Sequence, residues 1–79
     1  MKVNDETIKK SIAKFEKIFA KGNMRGAVCF GNKFVSKNVP VMKKYYVMVF
    51  MMQAYNSLNL PEKANKTKED IEKLNIFKL

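Results

Sequence analysis

Residues 39–60, VPVMKKYYVMVFMMQAYNSLNL, form the most hydrophobic stretch of this 79-residue sequence. Pro40 stands at or next to the first position of a predicted helix, where a missing N–H costs nothing and φ is already close to helical. No Gly or Pro follows before Pro61, and such a run is longer than a typical strand of about 5–6 residues. The stretch therefore predicts a helix, for which Asn38 is the candidate N-cap.

The apolar residues of this predicted helix point in every direction, which is typical of a helix that is buried centrally, spans a membrane or meets a partner. The face that we expect to be buried carries residues at helical spacing: Val41, Tyr45, Met48, Met52 and Tyr55. Lys43 and Lys44 shorten the apolar run below the roughly 20 residues that a membrane span needs. A buried strand over residues 44–51 is the alternative, because Tyr, Val and Phe favour strands.

The segment before it, residues 4–21, has the clearest helical pattern. Asn4 is a candidate N-cap and Gly22 a candidate terminator. Lysines recur on the face opposite to an apolar stripe. The stripe consists of Ile8, Ile12, Phe15 and Phe19.

Residues 24–37 fit two structures. A helix would contain Gly26 and Gly31, each of which costs about 1 kcal/mol relative to Ala. A hairpin would turn at Gly31-Asn32, a dipeptide that suits a two-residue turn. Both structures stay open on the sequence alone.

The C-terminal part begins with a predicted break at Pro61, and residues 61–66 are polar enough to predict a loop. Thr67 followed by Asp70 resembles a capping box, which predicts a short final helix. Its apolar face would be formed by Ile71 and Leu74. The end of the chain, residues 76–79, is too apolar for a free tail, and we expect it to dock onto the core or onto a partner.

Together these segments predict an all-α fold, a small compact bundle of three or four helices around a central apolar helix, with residues 1–79 as a single domain. If both ambiguous segments form strands, the fold becomes α+β with the order αβββα. The predicted core consists of Ile8, Ile12, Phe15, Phe19, Val28, Phe34, Tyr45, Met48, Val49, Met52, Tyr55, Ile71 and Leu74.

Several kinds of chemistry have no residues to support them. The sequence contains no His and one Cys, so the usual general base and the usual zinc ligand sets are missing. No glycine motif for phosphate binding is present. We therefore expect neither an enzyme nor a bound metal or cofactor. A lone cysteine favours a reducing, intracellular and cytoplasmic setting, in which Cys29 would be a small buried hydrophobe.

The charge distribution is the feature that points to a function. The net charge is +9, and no acidic residue occurs between Glu16 and Glu62. An unbalanced positive charge attracts polyanions. The candidate nucleic-acid-binding residues are Lys10, Lys14, Lys17, Lys21, Arg25, Lys33, Lys37, Lys43, Lys44 and Tyr46.

Two of these candidate sites have a specific role in the prediction. Tyr46, next to Lys43 and Lys44 in sequence, is the candidate for stacking on an unpaired base. The same two lysines fall in the first turns of the predicted central helix, where the helix dipole disfavours positive charge. A phosphate bound there by the lysines and the free amides would relieve the conflict.

The sequence thus predicts a small, basic, non-catalytic RNA-binding protein, such as a ribosomal or other ribonucleoprotein component, that contacts phosphates with little sequence readout. The alternative is a protein-interaction module, a small subunit or an inhibitor, that docks on a larger protein assembly through a Met and aromatic surface. The sequence disfavours attachment to a membrane surface, and it leaves the oligomeric state open.

Overall fold

The computed structural model describes residues 3–74 and shows four helices. They are α1 (Asp5–Ala20), α2 (Met24–Val35), α3 (Val41–Ser57) and α4 (Pro61–Glu72). Residues 3–74 contain no strand, so the predicted all-α bundle is confirmed and the αβββα order is wrong. The hairpin alternative for residues 24–37 is wrong for the same reason. The predicted docking of residues 76–79 lies outside the described residues.

Local sequence signals set both ends of α1 as predicted. The Asn4 side chain accepts a hydrogen bond of 2.8 Å from the Thr7 amide, and Asp5 and Glu6 lie in the first turn, at the positive end of the helix dipole. Gly22 has φ +81°, a conformation that glycine adopts without steric cost. The chain therefore leaves the helix there and turns toward α2.

Close packing explains why α2 contains a glycine in its interior. A Cβ atom added to Gly31 would lie 2.6 Å from Sδ of Met51 in α3 and 3.3 Å from Cε1 of Phe15 in α1. Gly31 is itself buried. The residue that weakens α2 as an isolated helix therefore lets α2 approach both neighbours closely.

The central helix α3 begins without a side-chain cap. Its N-cap is Pro40, and no side-chain hydrogen bond caps the helix, so the prediction of Asn38 as N-cap is wrong. Proline nevertheless suits this end, because its fixed φ is already close to the helical value.

The predicted buried face of α3 is partly wrong. The buried residues of this helix are Val47, Met48, Met51, Ala54 and Tyr55. Val41 is 42% exposed, and Tyr45 and Met52 are half-buried. The sequence could not choose between these faces, because apolar residues occur all around the helix and give no period.

The predicted loop over residues 61–66 is wrong, because Pro61 is the first residue of α4. Proline is well tolerated there, since the first amide of a helix has no intrahelical acceptor. Thr67 is not a cap. It lies in the middle of α4 with its side chain buried, and its hydroxyl donates a hydrogen bond of 2.9 Å to the Lys63 carbonyl. With Ala64 and Ile71 it forms the narrow buried face of an otherwise polar helix.

The helices pack mainly against their neighbours in sequence. α3 lies between α2 and α4, while α1 packs on α2 and contacts α3 only at its edge. The described chain measures 34 × 31 × 18 Å, so it is flat, and no described part of α1 touches α4. This arrangement leaves an open groove between α1 and α3.

The predicted core is confirmed for seven residues, which are buried: Ile8, Phe15, Val28, Phe34, Met48, Tyr55 and Ile71. The other six predicted residues are half-buried against that core: Ile12, Phe19, Tyr45, Val49, Met52 and Leu74. Cys29, expected inside, is exposed on α2. Within residues 3–74, no helix combines the length and the hydrophobicity needed to cross a bilayer.

Candidate nucleic-acid interface

Four predicted phosphate-binding residues lie in a row along the exposed side of α1: Lys10, Lys14, Lys17 and Lys21. Helical geometry places them opposite Ile8 and Phe15, which face the core. Successive lysines are three or four residues apart, which gives a rise of about 4.5–6 Å between neighbours and about 16 Å along the whole row. The row can therefore face an extended polyanion at several points along its length.

One aromatic contact ties this row to α2. The ammonium nitrogen of Lys14 lies 5.5 Å from the centroid of the Phe30 ring, within the range of a cation–π interaction. Arg25 and Lys33 are exposed on the outer face of the same helix, away from the buried Gly31. We call these six cations the α1–α2 basic surface: Lys10, Lys14, Lys17, Lys21, Arg25 and Lys33.

Acidic side chains do not neutralise this surface. Within residues 3–74, the only ion pair joins Lys66 to Asp70 on α4, at 2.9 Å. The three acids of α1 line the groove on the other flank of that helix. Because none of the six cations forms an ion pair among the described residues, their charges remain available to an anionic ligand.

The other predicted site residues lie elsewhere. Lys37 is exposed in the segment between α2 and α3, and Lys44 is half-buried. Lys43 lines the α1–α3 groove, a cavity of about 680 Å³, together with Asp5, Glu6 and Glu16. Lys43 thus lies in the groove with Lys9, whereas Lys10, Lys14, Lys17 and Lys21 do not line it.

The predicted phosphate at the start of α3 has unfavourable neighbours. Pro40 and Lys43, at that start, share the groove with the carboxylates of Asp5 and Glu6. A phosphate bound at the start of α3 would therefore lie on a groove that also contains acidic side chains, which repel an anion.

Tyr46 also belongs to the groove side. Its hydroxyl donates a hydrogen bond to Oε2 of Glu16, and its ring lies 5.1 Å from the Phe50 ring in an edge-to-face arrangement. This hydrogen bond, with smaller contributions from burial and from the Glu16 charge, raises the pKa of Tyr46. A carboxylate at its hydroxyl makes Tyr46 a poor neighbour for a nucleic-acid phosphate.

Sequence reasoning missed the pairing of Tyr46 with Glu16. The two residues are 30 positions apart, and no local pattern connects them. Glu16 is the last acid before the long acid-free interval, which is the one signal that could have drawn attention to it.

No family model, no curated protein and no solved structure matches this chain. Among residues 3–74, no group of three or more Cys, Asp or Glu side chains could hold a metal ion. The surface chemistry of the four helices is therefore the feature that bears on function.

Proposed function

We propose that the protein is a small, basic, non-catalytic RNA-binding protein of the cytoplasm, such as a ribosomal or other ribonucleoprotein component. The observation that supports this proposal is the α1–α2 basic surface, six exposed cations without an acidic partner among the described residues. Each cation can neutralise one phosphate and release its counterion, which is the main source of affinity in sequence-independent binding.

The chemistry of the cations suggests how RNA would be bound. Five of the six are lysines, and an ammonium group acts as a point charge, whereas the guanidinium fork of arginine reads guanine edges in pairs of hydrogen bonds. Lysine contacts to phosphate position a ligand and carry little sequence information. We therefore expect similar affinities for unrelated RNA sequences of equal length.

Two variants of equal charge test the proposal. In the first, Lys10, Lys14, Lys17 and Lys21 of α1 become Gln. In the second, four exposed lysines of α4 and its C-cap become Gln: Lys63, Lys66, Lys68 and Lys73. Both lower the net charge by the same amount, and α1 and α4 do not touch within the described chain.

The affinity of each variant for a fluorescent single-stranded RNA is read by anisotropy at fixed salt. We expect the α1 variant to bind at least about tenfold more weakly than the wild type, because four phosphate contacts are lost, and the α4 variant to change little. Equal losses in both variants would show that only net charge matters. Clean purification without nucleic acid, with no measurable RNA affinity, would refute the proposal.

A protein-interaction module is the second candidate function. It is favoured by apolar side chains left in solvent, of which Met42 is 63% exposed, Val41 42% and Leu60 38%. Met adapts its shape to a partner, and the exposed apolar side chains of Val41 and Met42 at the start of α3 suit docking on a larger protein. Capture of the same partner by the wild type and by the α1 variant, in the absence of RNA binding, would favour this function.

A further inference from the structure

An aromatic pocket of about 260 Å³ lies between α1 and α3 and is lined by Phe15, Phe19, Phe50, Tyr46, Glu16 and Ala20. The Phe19 and Tyr46 rings each lie 5.1 Å from the Phe50 ring, edge to face. Phe15, 1% exposed, forms the buried floor, whereas Phe19 and Phe50 are half-buried. The pocket therefore presents several partly accessible aromatic rings to a ligand.

A carboxylate stands at the rim of this pocket. Glu16 is exposed, and the hydroxyl of Tyr46 donates to its Oε2 atom, which holds the carboxylate beside the rings. No other described side chain donates to Glu16 or pairs with its charge. One of its oxygens therefore remains available to a donor from outside.

The surroundings extend the pocket into a longer amphipathic channel. Glu16 also lines the α1–α3 groove, whose apolar wall includes Ile8 and Ile12 and whose rim carries Asp5 and Glu6. Lys9 and Lys43 offset only part of this negative charge. The channel thus contains three acids and two lysines, whereas the α1–α2 basic surface consists of cations alone.

We propose that this pocket binds an arginine side chain of a partner polypeptide, with apolar residues next to that arginine lying in the groove. The faces of aromatic rings attract cations, and a planar guanidinium can stack on a ring while it donates to a carboxylate. A volume of about 260 Å³ is below the roughly 300–1,000 Å³ of pockets for whole small ligands. It suits one side chain whose backbone continues into the groove.

The arginine pocket is independent of the proposed RNA interface, because it lies on a different flank of α1. None of the six cations of the α1–α2 basic surface lines the pocket. Its partner is a basic and apolar protein segment, whereas the α1–α2 basic surface attracts a polyanion. Loss of one interaction need not affect the other, so the two proposals can fail separately.

Two synthetic peptides test the inference, one with a single arginine between leucines and one in which neutral citrulline replaces that arginine. Each is titrated into ¹⁵N-labelled full-length protein at physiological salt. We expect the arginine peptide to shift amide signals near Glu16 and Tyr46. It should also bind roughly tenfold more tightly than the citrulline peptide, because the cation–π and carboxylate contacts require the positive charge of the guanidinium group.

Glu16→Gln should remove this preference and bind both peptides equally. Glu62→Gln, which neutralises an exposed acid at the start of α4, should keep the preference and serves as the matched control. Tyr46→Phe keeps the ring but frees the carboxylate, so we expect at most a threefold loss for the arginine peptide.

Three results would overturn the inference: equal binding of both peptides by the wild type, an unchanged preference in Glu16→Gln, or signal shifts confined to other helices. Because Glu16 is exposed, its replacement should leave the amide spectrum dispersed. If Glu16→Gln nevertheless lost its fold, the comparison of the two peptides on the wild type would still decide the outcome.

Discussion

Replacing Gly31 with alanine places a methyl group where three helices meet. Its Cβ atom would lie 2.6 Å from Sδ and 2.7 Å from Cγ of Met51, and 3.3 Å from Cε1 of Phe15. Phe15 and Met51 are 1% and 2% exposed, so neither side chain can swing into solvent to make room. The new methyl group must push α2 away from α3 or force Met51 out of its preferred rotamer.

The expected magnitude follows from two opposing terms. Overpacking a well-filled core costs about 1–3 kcal/mol, whereas alanine in place of glycine stabilises a helix by about 1 kcal/mol. We therefore expect the free energy of unfolding of Gly31→Ala to fall by about 1 kcal/mol. At an uncrowded helical position the same change would raise it by a similar amount.

A double-mutant cycle with Met51→Ala isolates the steric term. Without the Met51 side chain the closest contacts of the new methyl group disappear, so Gly31→Ala should stabilise that background by about 0.5–1 kcal/mol. The free energies come from urea unfolding followed by circular dichroism at 222 nm. Trimethylamine N-oxide in all samples keeps the weakened Met51→Ala background folded.

The sign of the change in the free energy of unfolding that Gly31→Ala causes in the wild-type background tests whether α2 and α3 are closely packed at Gly31. A wild-type chain that gains about 1 kcal/mol from Gly31→Ala, with no coupling to Met51→Ala, would show that α2 and α3 do not approach each other at Gly31. The packing of the three helices described above would then be wrong.

Two further predictions concern the ends and edges of the helices. Asn4→Ala removes the acceptor for the Thr7 amide and should lower the free energy of unfolding by about 1 kcal/mol, measured by urea unfolding; no loss would mean that Asn4 does not cap α1. The hydrogen bond to Glu16 raises the pKa of Tyr46 in the folded protein. The stability that this hydrogen bond contributes is therefore complete below the pKa of Tyr46 in the unfolded chain, about 10, and is lost as pH rises through its pKa in the folded protein. Absorbance titration at 295 nm should show that Tyr46 ionises at a higher pH in the wild type than in Glu16→Gln, and this step should be missing in Tyr46→Phe. Identical titration curves for the wild type and Glu16→Gln would show that Tyr46 does not donate to Glu16.

Much of the fold could be predicted where local chemistry decides the structure. The cap at Asn4, the terminator at Gly22 and the apolar stripe of α1 each depend on residues a few positions apart. Short-range signals of this kind are present in the sequence itself. The helical nature of the central stretch followed from its length and its lack of Gly and Pro.

The wrong predictions concern segments whose structure depends on contacts between helices rather than on the local sequence. Residues 61–66, the first half of α4, predict a loop because they are polar. A helix that packs on one neighbour nevertheless needs only a narrow buried face, here Ala64, Thr67 and Ile71. The buried face of α3 was misjudged because packing by α2 and α4, rather than the sequence period, selects it. Gly31 left helix and hairpin open for residues 24–37, because its role depends on the close approach of Met51 from another helix.

One part of the candidate site could likewise be predicted from the sequence, and another part could not. The lysine row of α1 could be predicted, since helical spacing places its members on one face. The position of Lys43 and Tyr46 beside the acids of α1 could not, because it depends on how α3 packs against α1. The aromatic pocket and its carboxylate were invisible in the sequence for that reason.

The salt dependence of RNA binding reports how many phosphates the α1–α2 basic surface neutralises. If six cations of the α1–α2 basic surface each neutralise one phosphate of a single strand, log K should fall against log salt concentration with a slope of about −4, from roughly 0.7 per contact. The Lys→Gln variant of the four α1 lysines should give a slope of about −1.4, and the α4 variant of equal charge should keep the wild-type slope. Equal slopes for the two variants, or a wild-type affinity that does not respond to salt, would show that the α1–α2 basic surface is not the phosphate-binding site.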